Sequence, residues 1–317
     1  MTAPVEQVAR MLAATRIEDA EAFTWFGRRF AIRPGAELGR TLAQHLYINF
    51  YCAGGPAPLM GYSHPVPAGP ASDLVRRLAA ANEGEGGWQP GWRMVGESHD
   101  GEVVVERDGL RLRAPACDVR GDGPGGEAEV RRTTELFGAS PGFYTALGDA
   151  YDRPDVALAR VYVNVTSAAA PGLVAALTRR LNLARTPFRL KVLADPRAYG
   201  RCDAAILYVG EHDASSALEQ TLVATTALRP PVASRVPALT RPVAPGVAFA
   251  EDPGDGRSFG ESRCRLLAEA VLEASAEGVT SAAARLGVVA RRFAECGIDL
   301  ERPHLRAGSR LAVGALA

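Results

Sequence analysis

The side chains best suited to chemistry fall in two strand-like segments, Arg160-Val-Tyr-Val-Asn-Val165 and Pro187-Phe-Arg-Leu-Lys-Val-Leu193. Strand alternation puts Arg160, Tyr162 and Asn164 on one face, and Arg189 and Lys191 on one face of the second segment, with apolar residues opposite in both. Lys191 is the only lysine among 36 basic residues; the other 35 are arginine. A guanidinium is effectively always protonated, whereas a buried amine beside other cations can lose its proton near neutrality. Lowering a lysine from about 10.4 to near 7 takes roughly 4–5 kcal/mol of differential interaction, which desolvation and neighbouring guanidiniums supply. Guanidiniums also grip phosphate through paired hydrogen bonds. The combined pattern therefore suggests proton abstraction beside a bound phosphate.

Those residues need a sheet to position them. Val156–Val165, Phe188–Leu193 and Ala204–Val209 read as strands, and Ala170–Leu183 as an amphipathic helix joining the first two. A right-handed crossover of that kind can lay the first two strands side by side and merge their polar faces. Downstream, Asp195-Pro196 opens a turn, and Arg201 and Asp203 share one side of the entry to the third strand. Arg201 is a further candidate phosphate ligand, while Asp195 and Asp203 are better suited to holding arginines in place. Ser258-Phe-Gly-Glu-Ser-Arg-Cys-Arg265 opens a helix whose free N–H groups, with Arg263, form a candidate anion site beside ordinary capping by Ser258 or Ser262. Tyr47 and Tyr51 lie one helical turn apart and read as a core stripe; His45 is a candidate general acid.

The rest of the chain reads as α+β: a central, mostly antiparallel or mixed sheet with covering helices and a helical N-terminal portion. Residues 1–85 read as mainly helical, with apolar periodicity over Val5–Ala20 and Leu38–Cys52 and a helix capped at Ser72 or Asp73. Residues 86–317 read as the α+β core, integrated with that portion. Glu102 to Arg113 gives two short strands around Asp108-Gly109, a strong hairpin signal. Arg120 to Glu127 reads as a flexible loop.

Bulk composition narrows the function classes. The 317 residues carry 36 basic and 36 acidic side chains, so nothing suggests nucleic-acid or anionic-membrane binding. Apolar runs fall short of the roughly 20 residues of a membrane span, and the N-terminus lacks a signal-peptide layout. Five cysteines (52, 117, 202, 264, 296), dispersed and without a CxxC pair, fit a reducing cytoplasm and suggest neither a disulfide framework nor a zinc site. No phosphate-binding P-loop, dinucleotide glycine fingerprint or G-x-S-x-G elbow is present.

An ordered series of short motifs resembles the HopA-type type III effector family. It comprises Tyr47…Phe50-Tyr51…Gly54, Phe143-Tyr-Thr-Ala-Leu-Gly-Asp149, Arg160-x-Tyr-x-Asn164, Leu181-Asn182 and Pro187-Phe-x-x-Lys-Val-Leu-x-Asp-Pro196. It continues through Tyr199-x-Arg-x-Asp203, Leu207-Tyr208, Ser258-Phe-Gly260 and Arg263-Cys264. Members outside pathogens sit in biosynthetic systems for class V lanthipeptides and thioamitides, beside an aminoglycoside-phosphotransferase-like kinase. The resemblance implies a cytoplasmic phosphoserine/phosphothreonine lyase that needs no metal or organic cofactor. It would eliminate phosphate from a kinase-phosphorylated precursor peptide to give dehydroalanine or dehydrobutyrine. The rival expectation is a non-catalytic partner that presents the precursor to the kinase. On the lyase reading Lys191 is the base, and Arg160, Arg189 and Arg201 clamp the phosphate with Asn164 and Arg263. Tyr162 is a proton donor or phosphate ligand, and Asp195, Tyr199 and Asp203 are supporting residues. The better-known lyase effectors carry Lys-x-His where this chain has Lys191-x-Leu193, so the acid falls among Tyr162, Tyr199, His45 and His212, a tyrosine being favoured.

Overall fold

The computed structural model describes residues 3–59, 72–151 and 156–309. Helix α1 (Ala3–Ala14) leads into a small meander, β1 (Thr15–Asp19), β2 (Ala22–Trp25) and β3 (Arg28–Ala31). This corrects the expectation of helix through Ala20. The helix stops at Ala14, and Ile17, Phe23 and Trp25 suit a pleated, half-buried surface. Phe26 and Gly27, with φ of 48° and 75°, supply the two left-handed residues of a tight hairpin turn. Helix α2 (Leu38–Leu46) runs on as a π-helical turn over Tyr47–Tyr51, and α3 (Asp73–Ala80) is capped by the Ser72 hydroxyl, which accepts from Val75 N at 3.3 Å.

A five-stranded antiparallel sheet follows, from β4 (Trp88–Glu97), β5 (Val103–Arg107), β6 (Leu110–Ala114), β7 (Val119–Gly121) and β8 (Glu127–Arg131), in the order β6-β5-β4-β8-β7. The hairpin read at Asp108-Gly109 is there, with φ of 52° and 79°. The stretch expected to be a flexible loop is instead a hairpin joining β7 to β8.

The central sheet holds β9 (Glu135–Phe137), β10 (Phe143–Leu147), β11 (Leu158–Val163), β12 (Phe188–Leu193), β13 (Ala205–Gly210), β14 (Arg241–Ala244) and β15 (Val247–Glu251). Its seven strands run antiparallel in the order β14-β15-β11-β13-β12-β10-β9. Helix α4 (Ala170–Leu183) connects β11 to β12, and α5 (Ala214–Thr226) follows β13. Both pack with α3 on one face, where Val161, Leu190 and Leu207 meet Leu173, Leu177 and Leu218. The other face carries α2, α6 (Phe259–Ala276) and α7 (Ala282–Glu295). There Tyr162, Ile206 and Ala248 join one core with Phe50, Phe259, Leu267 and Trp25. The result is an α+β architecture with the sheet between two helical layers. Gly260 lets α6 pass directly over the Tyr47 and Tyr51 rings: a β-carbon there would lie 2.7 Å from Tyr47 Cε2 and closer still to Tyr51. The covering layer is incomplete, and the gap beside the start of α6 is where the polar face reaches solvent.

Candidate functional site

The polar face is organised by cross-strand register. Arg160, Tyr208 and Arg189 form one row across β11, β13 and β12; Tyr162, Ile206 and Lys191 form the next, which continues to Thr145. The two segments singled out in the sequence are therefore not adjacent, because β13 lies between them. The side-by-side crossover fails because the chain returns after β12 to fill the gap, pairing antiparallel with both neighbours. The polar faces still merge, with Tyr208 as the spacer. Around its ring centroid stand Arg160 Cζ at 5.0 Å, Arg189 Cζ at 5.6 Å and Lys191 Nζ at 5.1 Å. A ring face attracts each cation and so offsets part of their mutual repulsion.

Over this row lies an open cavity of about 600 Å3. Arg160, Arg189, Lys191, Ile206 and Tyr208 line the floor; Tyr47 and Arg201 form one wall, Asp252, Arg257, Ser258 and Glu261 another, and Ser140, Pro141 and Phe143 the lip. The cations differ in how far they are already committed. Arg160 is buried and pairs with Asp252, its Nε donating at 2.9 Å and an Nη also donating to that carboxylate, with a further bond to the Arg257 carbonyl at 3.2 Å. Arg201 donates to both oxygens of Asp203, at 2.7 and 2.6 Å, and to the Tyr47 hydroxyl at 2.9 Å. Both are fixed points of positive charge. Arg189 is exposed, and neither its side chain nor that of Lys191 forms a hydrogen bond or ion pair among the described residues.

Burial, then Arg189, then Arg160 lower the Lys191 amine below the usual lysine range, against a weaker upward pull from Glu261 and Asp252. Burial pushes the Tyr208 hydroxyl up to about 12, so the phenol keeps its proton at neutral pH. The site thus sets an amine biased toward neutrality beside a protonated phenol, between guanidiniums. That combination can bind an oxyanion, accept one proton and donate another. Among the described residues no group of three His, Cys, Asp or Glu side chains is placed to hold a metal ion. No described helix is long and apolar enough to cross a membrane.

Several residues expected at the site stand elsewhere. Arg263 is 1% exposed and spends its guanidinium on the carbonyls of Pro303 at 2.8 Å and Leu305 at 2.9 Å, tying the C-terminal segment to α6. It faces the helix-packed core, and burial lowers it to about 10. Asn164 donates to the Arg235 carbonyl at 2.8 Å, one residue beyond the end of β11. Asp195 caps its own turn and pairs with Arg197, while Tyr199 donates to the Leu193 carbonyl at 2.6 Å. Tyr162 is 1% exposed and lies under Phe259, at 6.5 Å between ring centroids, outside the cavity lining. His45 is caged by Phe23, Trp25 and Phe30, and burial depresses it to about 4. His212 sits at the far end of β13 against Asp213. Asp195 and Asp203 each pair with an arginine, Arg197 and Arg201, and of the two only Arg201 lines the cavity. The residues missed are Tyr208, Asp252, Arg257 and Glu261, together with Tyr47, which reaches the cavity as well as the core.

Fold and site together define an α+β protein with an arginine-lined cavity on one face of an antiparallel sheet. The model of the HopA1 effector protein family matches residues 138–305, just over half of the chain, and the protein belongs to that family. The solved effector protein from Pseudomonas syringae pv. tomato strain DC3000 shares the fold, with a TM-score of 0.52 at 17% identity over 96% of each chain. The effector protein from Pseudomonas syringae pv. syringae strain 61 aligns with 52% of this chain and 63% of its own, at 21% identity and a TM-score of 0.43. A search of curated proteins finds no match.

Proposed function

We propose that the protein is a phosphoserine/phosphothreonine lyase acting on a phosphorylated ribosomal precursor peptide in lanthipeptide or thioamitide biosynthesis. The observation that carries this is Lys191: the side-chain amine of the chain's single lysine lines an arginine-rich cavity, forms no hydrogen bond or ion pair among the described residues, and has its basicity lowered by burial, Arg189 and Arg160. An amine so placed removes the Cα proton of a residue whose phosphate is held by guanidiniums. Arg160 and Arg201, fixed by Asp252 and Asp203, are preorganised to stabilise charge on the departing phosphate. Arg189, exposed, is the one free to close on it. A phosphate raises the lysine's proton affinity, so the amine must be neutral as the substrate docks. The phosphorylated peptide would come from an aminoglycoside-phosphotransferase-like kinase acting as partner.

The test is to incubate the purified protein with a phosphoserine peptide and follow phosphate release by mass. Elimination that is lost in Lys191→Arg, with phosphopeptide binding retained, supports the reading. Unchanged turnover in that variant removes Lys191 as the base. Equal binding of phosphorylated and unphosphorylated peptide with no phosphate released would instead indicate a presenting module.

A further inference from the structure

Elimination of phosphate needs a proton for the departing oxygen as well as a base, and the residues considered for that role from the sequence do not reach the cavity. We infer that Tyr208 is the general acid of this site, an assignment that rests on the lyase reading. Tyr208 occupies the central position of the row Arg160–Tyr208–Arg189 and lines the cavity floor, with Lys191 Nζ 5.1 Å from its ring centroid. Base and phenol therefore share one pocket, and the guanidiniums flanking the phenol are the ones that would hold the phosphate.

The hydroxyls of Tyr47, Tyr144, Tyr162, Tyr199 and Ser258 are engaged or misplaced. The Tyr47 hydroxyl accepts from Arg201 at 2.9 Å and leans on Asp203 at 3.5 Å. Tyr144 donates to Glu135 at 2.7 Å and Tyr199 to the Leu193 carbonyl at 2.6 Å. Tyr162 lies outside the cavity lining. Ser258 caps α6, its hydroxyl accepting from Glu261 N at 3.3 Å. The carboxylates at the rim serve as acceptors, Asp252 for Arg160 and Glu261 for the Ser258 amide at 3.0 Å. The Tyr208 hydroxyl forms no hydrogen bond among the described residues, and it stays protonated where the reaction would run.

The step balances. Lys191 Nζ takes the Cα proton, the C–H electron pair becomes the Cα=Cβ bond, and the Cβ–O bond breaks. The bridging oxygen leaves with the phosphate and takes the Tyr208 proton. The lysine ammonium then returns a proton to the phenolate through water, and the products are the dehydroamino acid and hydrogen phosphate.

The experiment compares two peptides of identical sequence, one carrying phosphoserine and one O-sulfoserine. Sulfate has the same tetrahedral shape but leaves without needing a proton. We expect Tyr208→Phe to lose about 100-fold or more in kcat on phosphoserine, the scale of a general acid's contribution, with KM within about threefold. On sulfoserine the same variant should stay within about fivefold of the unaltered protein, whereas Lys191→Arg loses both reactions. A Tyr208→Phe variant that turns over phosphoserine at full rate overturns the assignment. So does one that loses both substrates equally, which indicates a structural role for the ring. If Glu261→Gln instead shows the phosphate-specific loss, the acid is Glu261 and Tyr208 is not. Unaltered protein that eliminates from neither peptide overturns the lyase reading, and this assignment with it.

Discussion

Replacing Asp203 with asparagine should reveal how Arg201 is held at the cavity wall. The two side chains are 5% and 1% exposed and share two hydrogen bonds, at 2.7 and 2.6 Å. Asparagine keeps the shape and one acceptor but turns the other oxygen into a donor facing a guanidinium N–H. Removing one partner of a buried pair costs roughly 3–5 kcal/mol, because the remaining charge is desolvated and uncompensated. Arg201 keeps its hydrogen bond to Tyr47, and one oxygen of the new amide can still accept, so we place Asp203→Asn at the lower end, about 3 kcal/mol. With a urea m-value of about 3 kcal/mol/M this lowers the unfolding midpoint by about 1 M. The double variant Arg201→Met, Asp203→Leu removes both charges together and should recover most of the loss. A midpoint change under about 0.3 M for Asp203→Asn, or a double variant less stable than the single one, would refute the argument that the pair is a desolvated unit. That result would also undercut the view of Arg201 as a fixed charge.

Other consequences are equally direct. Arg189 helps to lower the Lys191 amine, and a base works only when neutral, so activity falls as pH drops through the lysine's pKa. Arg189→Gln raises that pKa, and the acidic limb of the kcat/KM profile should move to higher pH; a limb that moves the other way contradicts the electrostatic argument. His45 and His304 are held neutral by burial, their folded values near 4 lying below the 6.5 of a free imidazole. Their contribution is complete above about pH 6.5 and is lost as pH falls toward 4; denaturation midpoints across that window should decline, and less steeply in His45→Phe. Gly260→Ala forces a methyl group against the Tyr47 and Tyr51 rings, and overpacking of this kind costs about 1–3 kcal/mol. A melting temperature within a degree of the unaltered protein's would show that the crossing of α2 and α6 yields more easily than its geometry implies.

What the sequence disclosed and what it hid follow one physical division. Alternation along a strand is local, so the shared face of Arg160 and Tyr162, and that of Arg189 and Lys191, could be read directly. Strand order is not local: only the return of β13 between β11 and β12 made Tyr208 the centre of the site. The helical phase of α6 was also readable in principle, since Gly260, Arg263, Cys264 and Leu267 are spaced to share its buried face. A place near a helix start points Arg263 toward an anion, yet that phase turns it inward, and its partners are carbonyls some 40 residues later. Asp252 lies in an irregular Asp-Pro-Gly segment after β15 and finds Arg160 across 92 positions, with no periodic signal to mark it. Residue type reveals that a guanidinium is present, while its capacity for a ligand depends on how far distant carboxylates and carbonyls have already satisfied it. Arg263 is spent inside the fold, Arg160 and Arg201 are charged but fixed, and Arg189 with Lys191 keeps its polar head for whatever enters the cavity. A substitution at Arg189 should therefore act mainly on ligand affinity, and one at Arg263 mainly on stability, although the sequence offered both as phosphate ligands.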